Sequence, residues 1–114
     1  MNDGVKTIIY PVHDLAAAKT LFSALLGVEP ITDEAYYVGF RTGGQDIGLD
    51  PNGHSKGMTG PVCYWHVDDI NNRVQALLLA GAEVMQKIQD VGGGKLIASV
   101  KDADGNAIGL LQEA

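Results

Sequence analysis

Two tripeptides, Ile47-Gly48-Leu49 and Ile108-Gly109-Leu110, constrain this fold most, because each closes the same series of elements. Before each copy come a strand, an Asp-led helix stopped by glycine, and further strands. The helix stops match as well: Leu26-Gly27-Val28-Glu29 in one half, Ala80-Gly81-Ala82-Glu83 in the other. A supersecondary unit used twice predicts an α+β fold of two βαβββ modules. Module one covers about residues 5–50, a linker 51–61, and module two 62–113, all within a single domain. A half of roughly 55 residues buries too little surface to be secure alone. The modules are therefore expected to pack into a concave mixed sheet with both helices on its outer face.

Along module one, Lys6–Val12 alternates as a strand, with Ile8, Tyr10 and Val12 on one face and Thr7, Ile9 and Pro11 on the other. Asp14 supplies an N-cap carboxylate and Leu15–Leu26 a helix. Leu15, Ala18, Phe22, Leu25 and Leu26 fall on its inner face, and Gly27 can take the left-handed conformation that ends it. Val28–Thr32 reads as a weak edge strand because Pro30 lacks an N–H. Tyr36–Thr42 puts Tyr36, Val38 and Phe40 opposite Tyr37, Gly39 and Arg41, and Gly43-Gly44 turns the chain into Gln45–Asp50. Proline, glycine and polar residues between Pro51 and Pro61 mark the linker.

Module two repeats the plan. Val62–Val67 places Val62, Tyr64 and His66 opposite Cys63, Trp65 and Val67. Asp68-Asp69 caps a helix over Ile70–Ala80 that Gly81 stops. Strands follow at Val84–Gln89, Leu96–Lys101 and Ala107–Gln112, the last two joined by a turn at Asp104-Gly105-Asn106. Cys63 and Trp65 are expected to pack under the helix as core residues.

Charge and composition remove several function classes. Net charge is −6 with a pI near 4.7, the reverse of the clustered Lys and Arg that bind phosphates. A basic ligand suits that charge, though acidity also serves solubility alone. Cys63 is the single cysteine, so no internal disulfide forms and nothing suggests an oxidising compartment. Met-Asn-Asp-Gly is not a signal peptide, and the longest apolar window, Ala76–Ala82, is far short of the roughly 20 residues of a membrane span. The expected compartment is the cytoplasm, with no nucleic-acid or membrane partner.

Taken together, Tyr10-Pro-Val-His-Asp-Leu entering the first helix, its closing Leu26-Gly27-Val28, His66-Val-Asp-Asp-Ile-Asn entering the second, and the turn Lys101-Asp-Ala-Asp-Gly-Asn106 resemble the vicinal oxygen chelate superfamily. That group holds glyoxalase I, extradiol dioxygenases and bleomycin-resistance proteins. The resemblance spans essentially the whole chain. Its metal-dependent members carry His, Glu or Gln ligands on the first and last strands of each module. Laid on this sequence, those positions are Thr7, Gly48, Val62 and Gly109. None is the expected donor, and the neighbours Ile47, Leu49, Ile108 and Leu110 are aliphatic. Divalent ions need several imidazole or carboxylate groups converging at bonding distance. The resemblance thus implies the fold without a metal cofactor. A displaced site using His66 with Asp46 and Asp50 is an open alternative.

Alternation lines the concave face with Ile9, Tyr37, Arg41, Asp46, Asp50, Tyr64, His66 and Leu111, joined by Ser99 and Lys101. The ligand-binding candidates are Tyr37, Arg41, Asp46, Asp50, Tyr64, His66, Lys101 and Leu111. Two glycines at the floor leave room for a flat or bulky organic molecule. The expected function is therefore metal-independent binding of a small organic molecule, with drug sequestration as one form. By resemblance to resistance proteins, a homodimer would build the pockets. The alternative is a metal-free lyase, isomerase or hydrolase with His66 as general base and Tyr64 or Arg41 stabilising developing negative charge. Gly92-Gly93-Gly94-Lys95 is not a phosphate loop, since Gln89 and Leu96 break the motif. Asp102 and Asp104 form a turn, lacking the further ligands of a calcium loop. His13 and His54 fall outside any site.

Overall fold

Asp14 and Gly27 bound the first helix as their chemistry requires. Asp14 Oδ1 accepts the Ala17 N–H at 3.0 Å, and Gly27, at φ 71°, donates its N–H to the Ser23 carbonyl at 2.9 Å. A positive φ costs glycine little, having no Cβ to clash. The computed structural model describes residues 2–114; Met1, part of the Met-Asn-Asp-Gly start, lies outside them. In chain order the elements are β1 (Asn2–Pro11), α1 (Leu15–Leu26), β2 (Thr32–Glu34), β3 (Tyr37–Thr42), β4 (Gln45–Asp50), a 3-10 turn (His54–Lys56), β5 (Val62–Val67), α2 (Ile70–Leu79), β6 (Glu83–Asp90), β7 (Leu96–Lys101) and β8 (Ala107–Gln112). Two βαβββ series are present, and the α+β class is the expected one. None of the described helices is long and apolar enough to cross a membrane.

Residues 7–62 form one unit. Its strands run in the order β2-β3-β4-β1, with β1 parallel to β4 and the other pairs antiparallel. Val38, Phe40 and Leu49 are buried on one face, where Leu15, Ala18, Phe22 and Leu26 of α1 cover them. The Phe22 ring meets Tyr10 at 4.8 Å between centroids. Leu25 was expected there and is exposed instead, because α1 lies over β3 and β4 and turns that residue outward. The weak strand expected at Val28–Thr32 forms later, at Thr32–Glu34. Pro30 has no N–H to give, so pairing starts where Ile31 donates to the Gly39 carbonyl at 2.8 Å.

Residues 2–6 and 63–114 form the second unit. Strand order is β5-β8-β7-β6, with β5 parallel to β8. Val67, Ile70, Val74, Ala98 and Leu110 make its core. Asp69 caps α2 by accepting the Asn72 N–H at 3.1 Å, and Gln112 Oε1 accepts the Ile70 N–H at 2.8 Å, tying β8 to the start of the helix. The expectation that Cys63 and Trp65 pack under this helix is corrected: Cys63 is exposed and Trp65 is 41% exposed. The helix lies over β6, β7 and β8, so the outer face of β5 stands beyond its cover.

Candidate functional site

In each unit, strand alternation sends one set of side chains under the helix and the other to the far face of the sheet. The expected site residues fall on those far faces. In the unit of residues 7–62, register aligns Thr7, Asp46 and Arg41 in one row and Ile9, Gly48 and Gly39 in the next. Thr7 is buried and Arg41 exposed. Arg41 Nε donates to Asp46 Oδ1 at 2.8 Å, so the two opposite charges satisfy one another. An exposed pair of this kind contributes under about 1 kcal/mol.

Asp50 is engaged inside the chain. Its Oδ1 accepts the Asn52 N–H and its Oδ2 a hydrogen bond from Lys56 Nζ, both at 2.8 Å. Its carbonyl takes the N–H groups of Val12 and Gly53. Gly53 has to be glycine, since a Cβ there would lie 2.7 Å from Pro11 Cβ. These contacts fold residues 51–58 back onto β1, with Met58 buried and the His13 and His54 rings stacked at 3.9 Å, 4° from parallel. Residues 51–58 form an ordered turn between β4 and β5, and His54 has a ring neighbour the sequence did not suggest.

The most informative geometry is at the glycines. A Cβ on Gly48 would lie 2.0 Å from Tyr37 Oη, and a Cβ on Gly39 would lie 3.2 Å from Tyr37 Cε2. The Tyr37 ring thus lies across the Gly39–Gly48 pair. In the second unit Tyr64 pairs in register with Gly109, and a Cβ on Gly109 would meet the Tyr64 ring at 2.5 to 2.8 Å. Tyr64, Ser99 and Leu111 are all buried, His66 is half-buried in register with Leu111, and Lys101 is exposed. The room expected above the two glycines is therefore not vacant: a tyrosine ring lies on each. The sequence carried the signal for the first, since Tyr37 and Gly39 share a face with Gly48, but Gly39 was not singled out.

Those rings also bear on the four positions where metal-dependent members of the resembled superfamily carry ligands. At Gly48 and Gly109 any donor side chain would have to occupy the volume of a tyrosine ring. Thr7 offers one hydroxyl and Val62 no donor atom. The four positions do not fit a divalent metal, and among the described residues no group of three His, Cys, Asp or Glu gathers to hold one elsewhere.

Residues 4–110 match the Glyoxalase/Bleomycin resistance protein/Dioxygenase superfamily. The chain belongs to it. Solved structures agree on the fold. A glyoxalase/bleomycin resistance protein/dioxygenase superfamily member from Vibrio splendidus 12B01 is 18% identical, covers 100% of both chains and superposes with a TM-score of 0.73. Methylmalonyl-CoA epimerase from Mycobacterium tuberculosis is 17% identical over 99% of this chain and 89% of its own, TM-score 0.73. The Mn(II)-bound glyoxalase from Novosphingobium aromaticivorans is 16% identical over 98% of this chain and 40% of its own, TM-score 0.71. No curated protein matches the sequence.

Proposed function

We propose that this superfamily member binds a small organic molecule on the far face of its sheets without a resident metal at the family's ligand positions. The carrying observation is the pair of tyrosine rings lying on Gly48 and Gly109, where metal-binding relatives would need acidic or imidazole side chains. What supports recognition on those faces is the half-buried Tyr37 ring, an exposed Arg41–Asp46 pair to orient a polar group, and His66 and Lys101 in the second unit. Sequestration of a basic drug-like compound suits the net charge of −6. A cytoplasmic homodimer is part of the same reading, supported by exposed Leu21 and Leu25 on α1.

Metal analysis of protein purified without chelators tests this directly. Transition metal well below one equivalent is expected, together with thermal shifts from planar organic compounds that EDTA does not abolish. A stoichiometric metal, or shifts that vanish with EDTA, would overturn it. The enzymatic alternative rests on His66, half-buried beside Leu111. With His66→Ala, loss of turnover and retained binding would select a general-base enzyme.

A further inference from the structure

Tyr37 and Tyr64 both lie on bare glycine, but they are held very differently. Tyr64 sits mid-strand in β5 and is 3% exposed. Tyr37 is the first residue of β3, directly after the turn at Ala35 and Tyr36, and is only half-buried. Beneath its ring, Gly39 and Gly48 face each other across the β3–β4 ladder, so two adjacent strands present backbone with no side chain between them. Thr32 bounds this patch from β2, where its Cβ lies 3.5 Å from the position a Gly39 Cβ would take. Ile9, in register with Gly48, bounds it from β1, and the Arg41–Asp46 pair occupies the next row.

The bare patch has the footprint of one phenol ring. A ring resting on it meets peptide planes on its face and Thr32 and Ile9 at its edges, a surface that selects for flatness. We infer that Tyr37 is a displaceable plug, and that the Gly39–Gly48 patch is a binding slot for a planar monocyclic aromatic compound of phenol size. The ligand takes the place of the Tyr37 ring, which swings out through the Ala35–Tyr36 turn. No equivalent slot opens in the second unit, because Tyr64 is enclosed. This inference rests on the small-molecule reading above and adds to it where on the sheet the ligand lies and what shape it has.

The probe is p-cresol, the severed tyrosine side chain, titrated into the full-length protein while the amide signals of Gly39, Gly48 and Gly109 are followed by NMR. Saturable shifts are expected at Gly39 and Gly48 and none at Gly109. Tyr37→Ala, which needs no displacement, is expected to bind p-cresol at least about tenfold more tightly and to gain ~4 °C or more in melting temperature at saturation. Should Tyr37→Ala fail to fold, the wild-type titration decides alone. Absence of a saturable response at Gly39 and Gly48 overturns the slot. If planar compounds then shift other far-face amides, the slot alone is lost and the binding function stands. If no compound in the panel shifts any, both are lost.

Discussion

At the scale of single residues, the three far-face glycines are not equivalent, and the atoms a methyl group would meet rank them. At Gly39 the nearest atom is 3.2 Å away, a gap that a small adjustment relieves. At Gly48 the conflict is severe, 2.0 Å, but it is with Tyr37 Oη, the far end of a half-buried side chain. At Gly109 the conflict is with Cδ2 and Cγ of Tyr64, atoms near the root of a buried ring that a ring flip does not move clear. The expected order of stability loss on substitution by alanine is Gly109, then Gly48, then Gly39, spanning about 1–3 kcal/mol and measured by urea unfolding. Tyr37→Ser in the Gly48→Ala background should recover much of the loss, and the same partner change should do nothing for Gly109→Ala.

Among elements, the β7–β8 turn is held by one carboxylate. Asp102 Oδ1 accepts the N–H groups of Asp104 and Asn106 at 2.9 and 2.8 Å, and Oδ2 accepts Asn106 Nδ2 at 2.9 Å. These bonds, led by the Asn106 side chain, favour the ionised form and hold its pKa below the usual 3.8. A depressed folded value contributes stability above the unfolded value and loses it as pH falls through the folded one. The stability difference between wild type and Asp102→Ala should therefore be constant above about pH 5 and shrink as pH falls below about 4, checked by unfolding across that range. This turn, both helix N-caps and the face assignments of β3 and β4 were legible in the sequence because each depends on a few neighbouring residues. The exposure of Cys63 and Trp65 was not. Alternation separates two faces of a strand, but which face a helix covers depends on where α2 lies over β6, β7 and β8, a long-range outcome. The filled glycines failed similarly: the sequence shows the missing side chain, not the neighbour that occupies its volume.

The whole molecule divides unevenly with respect to its own sequence. Unit boundaries cut through β1: residues 2–6 group with residues 63–114, while residues 7–62 are continuous. Deleting residues 2–6 should lower hydrogen-exchange protection along β5 to β8 and leave the amides of α1, β3 and β4 protected to within about twofold. The superfamily assignment holds for the chain as a whole, and the duplication that first pointed to it does not predict this split, since two equal repeats suggest a cut between them.

That split bears on the order in which the chain folds. Residues 7–62 contain α1 and the paired strands β2, β3 and β4, and chains begin to order from the N-terminal side as translation proceeds. Residues 2–6 are made before residues 7–62, yet they group with residues 63–114, which are made after them. Joining two separated segments also costs loop-closure entropy, which is smaller when the intervening chain is already folded than when it is loose. A lesion that slows the folding of residues 7–62 would thus delay the joining of residues 2–6 to residues 63–114 as well.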